Sequence, residues 1–262
     1  MSALVVDGRR LEILQIPACR ADAPTIVFLH EGLGSISQWR DFPALLAERT
    51  GCGAVIYSRY GHGYSDPLDG PRDVDYMHRE GEVVLPALLA QLGISRPILF
   101  GHSDGGSIAL IFAGAYPDAA CGLILEAPHV FVEDLSVASI AQAKTAFAAT
   151  DLAAKLGRHH ADAAATFRGW NDIWLDPRFR AWNIESSLVA IRVPLLVIQG
   201  DDDEYGTAAQ VHTIANAVAN TQTLFLSQCG HAPHRDRRDA VLDACASFVQ
   251  RIIRIAEEDV AI

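Results

Sequence analysis

The stretch Ile98-Leu99-Phe100-Gly101-His102-Ser103-Asp104-Gly105-Gly106-Ser107-Ile108-Ala109-Leu110-Ile111 decides the fold. It opens as a short apolar run of strand type, passes through Gly-x-Ser-x-Gly and enters a long apolar helix. A serine presented on so sharp a strand-to-helix turn needs a strained backbone and almost no side-chain volume two residues to either side. Gly101 and Gly105 meet that demand, and Gly106 lets the helix lie close. The five-residue pattern alone carries little weight, because glycine and serine at about 7% each produce it by chance in about one chain in ten. Its place between a strand-like run and a helix makes it informative.

Working outward, the same alternation recurs. The chain opens as a hairpin, with strands at 4–6 and 11–16 around the turn Asp7-Gly8. Further strands are predicted at 25–29, 54–57, 98–100, 123–125, 195–198 and 223–226. Helices are predicted over 38–49, 104–115, 208–218 and 238–255, and one within 74–92. Short strands separated by helices imply an α/β fold, with a mostly parallel central sheet and helices on both faces. The rhythm breaks between 131 and 190, where the sequence is alanine-rich and helical, holds Trp170, Trp174 and Trp182, and contains no strand-like run. This predicts a core made of 1–130 and 191–262 and a helical cap, or lid, over 131–190.

Composition narrows the function. Against 21 Lys and Arg stand 32 Asp and Glu, a formal net charge of −11 over 262 residues. Such a chain repels phosphate backbones and anionic lipid, so nucleic acid and membrane surfaces are not expected partners. The five cysteines, Cys19, Cys52, Cys121, Cys229 and Cys245, show no Cys-x-x-Cys spacing and read as reduced core thiols. The first twenty residues lack a secretory pattern, and no apolar run approaches the roughly 18 residues of a membrane span. A cytoplasmic protein is expected, a monomer or small homo-oligomer acting on a small molecule.

A serine hydroxyl is a poor nucleophile until a base takes its proton, and that base must itself be oriented. An acid and a histidine should therefore follow, each just past a later strand. The run 195–198 ends in Gly200-Asp201-Asp202-Asp203, and 223–226 is followed by Cys229-Gly230-His231. With these residues the chain resembles the α/β-hydrolase superfamily over nearly its whole length, in the order serine, acid, histidine. The resemblance implies Ser103, Asp203 and His231 as a catalytic triad with no cofactor and no metal. It favours Asp203 because the family's acid commonly falls three residues after the glycine that ends its strand. Asp202 is the alternative, and His234 is the local rival of His231, read as a cap of the last helix.

Attack on a carbonyl builds charge on its oxygen, which preorganised backbone amides stabilise. One such donor is the amide of Asp104, at the start of a helix whose dipole favours an anion. By resemblance the other comes from His30-Glu31-Gly32-Leu33-Gly34, with Gly32 the first choice and Leu33 the second. Glu31 replaces the family's usual glycine; it either points away into a structural pairing or contacts substrate. His129, at the mouth of the cap, is a pocket candidate, and it or Arg59 could bring a local positive group. His62 and Tyr64 read as packing of the loop 58–66, and His159 and His160 as the polar face of the cap. Trp170 and Trp174, four apart on one helix face, either wall an acyl pocket or glue the cap to the core.

The expected activity is hydrolysis of a carboxylic ester, thioester or lactone of small-to-medium size through an acyl-serine. Carbon–carbon hydrolases and perhydrolases share the same residues. A nucleophilic aspartate, the mark of dehalogenases and epoxide hydrolases, is not what position 103 holds. A ligand receptor with little turnover is the reading from a different class, made less attractive by the retention of all three triad members.

Overall fold

Apolar runs rich in Val, Ile, Leu and Phe build the centre of the sheet, and polar alternation marks its edges. The computed structural model describes residues 2–21 and 23–260. In chain order the elements are β1 (Ser2–Val6), β2 (Arg9–Ile16), β3 (Ile26–Leu29), α1 (Phe42–Thr50), β4 (Ala54–Ser58), α2 (Tyr76–Arg79), α3 (Leu85–Gln91), β5 (Ile98–His102), α4 (Asp104–Ala115) and β6 (Gly122–Glu126). Then follow α5 (Asp134–Ala149), α6 (Leu152–Leu156), α7 (Ala163–Trp174), α8 (Glu185–Leu188), β7 (Leu195–Gly200), α9 (Ala208–Ala217), β8 (Thr221–Leu226), α10 (Pro233–Asp236) and α11 (Arg238–Val260).

The strands form one sheet in the order β1-β2-β4-β3-β5-β6-β7-β8. The β1–β2 and β2–β4 pairings are antiparallel and every later pairing is parallel. Residues of β3, β4, β5, β6 and β7 are buried throughout, as strands covered on both faces must be. Successive side chains point to opposite faces. Val27, Leu29, Leu99, Leu123 and Leu125 pack with α4 and the helices beyond β6, whereas Phe28, Ile56, Phe100, Ile124 and Ile198 pack with α1 and α11.

Two predicted helices are interrupted. Over 38–49 a 3-10 turn at Ile36–Trp39 precedes α1, and the chain between them turns through Arg40 at φ 55°. Over 74–92, α2 and α3 are joined by a π turn at Glu80–Val84. Pro86, at the start of α3, has no N–H to donate, and a widened turn accommodates the missing bond. Between β6 and β7 the chain is helical apart from an isolated bridge of Phe131 with Asn183. That bridge and the Ile184 amide on the Val130 carbonyl, at 2.8 Å, bring the two ends of the insertion together. Among the described residues, no helix is long and apolar enough to cross a membrane.

Candidate active site

The strand-to-helix turn at Ser103 has the geometry its motif requires. Ser103 joins β5 to α4 at φ 53°, ψ −117°, a conformation non-glycine residues rarely adopt. A Cβ on Gly101 would stand 2.3 Å from the Gly105 carbonyl oxygen, and one on Gly105 would stand 2.0 Å from that of Leu29. Only glycine permits both approaches. The Ser103 amide donates to the Glu126 carbonyl at 2.9 Å, tying the turn to β6.

The loops after β7 and β8 bring the other two residues to this serine. Ser103 Oγ lies 2.9 Å from His231 Nε2, and His231 Nδ1 lies 2.8 and 2.9 Å from the two carboxylate oxygens of Asp203. Asp203 also accepts from Gln199 Nε2 at 2.7 Å and from the amides of Tyr205 and Gly206 at 2.7 and 3.2 Å. Burial disfavours its charge, but the hydrogen bond and charge of His231 and the Tyr205 amide outweigh that and hold the carboxyl below its ordinary value. Asp202 is exposed and does not approach the ring. Cys229 is a buried loop residue whose thiol burial pushes up to about 12, so it stays neutral.

The amides of Gly32, Leu33 and Asp104 are free: among the described residues none accepts a hydrogen bond from them. Beneath them lies Arg59, fully buried, which donates to the carbonyls of His30 and Glu31 at 3.2 and 2.8 Å and stands 3.7 Å from the Asp104 carboxylate. Arg59 therefore offers no charge to a substrate; it braces the loop that carries Gly32. The Asp104 carboxylate is occupied by Tyr76 Oη at 2.8 Å and Trp174 Nε1 at 3.3 Å. Glu31 faces His102 Nδ1 at 3.5 Å and Arg235 at 3.9 Å. Burial opposes its ionisation, but these cations and His30 prevail and hold the carboxyl well below the usual range.

Ser103 and His231 open onto a cavity of about 540 Å³ also lined by Glu31, Gly32, Leu33, His129, Trp170 and Trp174. Each tentative pocket position thus reaches the same space. The positive group proposed for His129 does not exist at neutral pH: burial and the neighbouring His231 lower it to about 4. Tyr64, expected to pack in its loop, is exposed, whereas His62 is buried between His30 and His160. His160, expected on a polar face, is buried and bonds the Gly63 amide and the Leu33 carbonyl, each at 2.9 Å. His234 caps no helix; it lies within α10 and donates to Glu126 Oε2 at 2.6 Å. Tyr205, whose ring centre is 4.8 Å from that of His231, was missed; its position two residues after the acid was the available signal.

His102, Glu126 and His234 bring buried donor atoms within 4.8 Å of one another. Each already serves a hydrogen bond, His234 to Glu126 and His102 Nε2 to the His231 carbonyl at 2.6 Å. The set is a strut beneath the histidine loop rather than a ligand cage. A larger hollow of about 1040 Å³, between the loop 61–73 and the far side of α7, holds none of the three aligned residues.

Comparison with known proteins bears on the fold and the family. Among curated proteins, the chain is 29% identical over 248 residues to the putative carbamate hydrolase RutD of Pseudomonas savastanoi pv. phaseolicola, covering 83% of this chain and 91% of that one. It is 24% identical to the mouse sn-1-specific diacylglycerol lipase ABHD11, over 87% of this chain and 82% of the relative. Among solved structures, the enol-lactonase from Burkholderia xenovorans LB400 has a TM-score of 0.76 at 22% identity, covering 95% of this chain and 100% of that one. At that identity the likeness speaks to the fold. A family model described as the alpha/beta hydrolase family matches residues 26–244, and the chain belongs to that family.

Proposed function

We propose that this protein is a serine hydrolase that cleaves a carboxylic ester, thioester or lactone of small-to-medium size. The observation that carries the reading is the aligned chain from Ser103 Oγ through His231 to Asp203, set on a strained turn at the floor of a cavity. Ser103 Oγ attacks the carbonyl carbon as His231 Nε2 takes its proton. Asp203 fixes the tautomer and stabilises the imidazolium. The charged oxygen accepts hydrogen bonds from the Asp104 amide and from Gly32, with Leu33 the alternative donor. Collapse expels the alcohol or thiol, or opens the lactone, with the proton returned from His231. Water, deprotonated by the same ring, then cleaves the acyl-serine, releasing the acid and restoring Ser103.

The helices of 131–190 serve as the cap over this site and residues 1–130 and 191–262 as its base. The cavity of about 540 Å³ is lined by Ile140, Leu156, Trp170 and Trp174 as well as by the charged Glu31, Lys155 and Arg235, and its apolar part suits an uncharged acyl group. No cofactor enters the scheme. The test is labelling by a fluorophosphonate, together with turnover on esters, thioesters, lactones and, given the relative's name, carbamates of varied acyl length. Ser103→Ala should lose the label and about 10⁶ in rate. Residual turnover within tenfold of wild type would remove Ser103 from the mechanism.

A further inference from the structure

We propose that Glu31 and His102 act as a positioning pair behind the triad, holding the loop that presents the oxyanion donors in register with the loop that presents the base. The proposal rests on the serine-hydrolase reading and adds two residues to it.

His102 ends β5, one residue before the nucleophile, and is almost wholly buried. Its Nε2 donates to the carbonyl oxygen of His231 at 2.6 Å, so it grips the backbone of the base itself. Its Nδ1 has no hydrogen-bond partner and faces Glu31 Oε2 at 3.5 Å. Glu31 immediately precedes Gly32, and its carboxylate folds back beneath its own loop. A Cβ on Gly34 would stand 2.3 Å from Glu31 Oε2, so glycine there leaves the room. Arg235, bonded to the Gln38 carbonyl at 3.1 Å, supports the carboxylate from the other side at 3.9 Å. One imidazole thus spans from the oxyanion loop to the histidine loop.

Only the imidazolium carries a proton on both ring nitrogens, so only it satisfies both loops at once. The titratable groups facing His102 are Glu31 from the 30–34 loop, Glu126 from β6, and His231 and His234 from beyond β8. Burial opposes the charge, but Glu31, Glu126 and the His231 carbonyl outweigh it and raise the pKa. A raised group is fully protonated at low pH and gives up its proton as pH climbs through the raised value. The span is therefore intact on the acid side and broken on the alkaline side.

The rate at which a fluorophosphonate labels Ser103 reads this without requiring the natural substrate. Measured on the full chain from about pH 5.5 to about 9, wild type should show an alkaline fall as His102 deprotonates. Glu31→Gln keeps the shape and removes the charge, so the fall should move to lower pH. His102→Ala should lower the rate at least about tenfold, since misplaced bases lose rate steeply. His102→Gln, which retains an N–H for the His231 carbonyl, should recover part of that loss and show no alkaline fall of this origin. An unmoved fall in Glu31→Gln would overturn the pair, as would equal losses in His102→Ala and His102→Gln. Absence of labelling in wild type would instead overturn the hydrolase reading on which the pair depends.

Discussion

At position 203 a carboxylate meets the imidazole of His231, while its neighbour at 202 looks outward. The difference is one of register in the loop leaving β7. The Asp202 amide donates to the Cys229 carbonyl at 2.9 Å, which locks the loop and turns residue 203 inward. Asp203→Asn should reduce kcat by about 10⁴, because the amide cannot hold the catalytic tautomer or stabilise the cation. Asp202→Asn should leave kcat within a few-fold. Assay of both variants on one activated ester decides between them, and a large loss at 202 would place the acid there. Sequence alone left this pair open, since an acidic run after a strand does not state which side chain turns in. His102 was harder to see. It sits inside the nucleophile motif, but its partners Glu31 and His231 come from distant loops.

At the scale of one helix, α7 shows what periodicity can and cannot say. The four-residue spacing of Trp170 and Trp174 placed them on one face, and that face points inward. Both indoles line the cavity, but their other contacts differ. A Cβ on Gly32 would stand 2.1 Å from Trp170 Cδ1, so this indole lies against the 30–34 loop and borders the cavity. Trp174 gives its Nε1 to Tyr76 Oη and Asp104 at 3.1 and 3.3 Å and packs edge-on to His129 and Phe179. Trp170→Ala should shift the ratio of kcat/KM for long over short acyl groups upward by about tenfold or more. Trp174→Ala should instead lower stability by about 3–5 kcal/mol, the range for truncating a buried tryptophan. If acyl selectivity follows Trp174 and stability alone follows Trp170, the roles are reversed. The strands and α4 were legible because continuous apolar runs fix both type and burial. Arg40 and Pro86 broke two helices because the chain there obeys a single residue's backbone limits rather than the surrounding period.

Across the whole molecule, the insertion is tied to the core through buried histidines that must stay neutral. His30, His62 and His160 pack in a row, tilted and edge-on, with ring centres 4.7 and 5.9 Å apart. His160 Nδ1 accepts from the Gly63 amide while its Nε2 donates to the Leu33 carbonyl; His30 Nε2 accepts from the Arg59 amide while its Nδ1 donates to the Glu31 carbonyl. A second ring proton would remove the acceptor from each. Burial is the largest cause lowering the pKa of all three, joined by Arg59 at His30 and by His30 and Arg59 at His62. His129, lowered to about 4, behaves alike. For a group depressed in the fold, stability is present above the unfolded value of about 6.5 and is lost as pH falls below it, because the unfolded chain takes up the proton first. Each such histidine should cost about 1.4 kcal/mol between pH of about 7.5 and about 5.5. His102 and Glu80, both raised, act in the opposite sense, and the four, with the half-buried His159 also lowered, outnumber the two. Urea unfolding across this range should show stability falling with pH, and His62→Gln should lessen the fall by about one histidine's share. A flat profile, or an equal fall in His62→Gln, would mean that the histidine row protonates in the folded state and does not hold the insertion to the core through its neutral form.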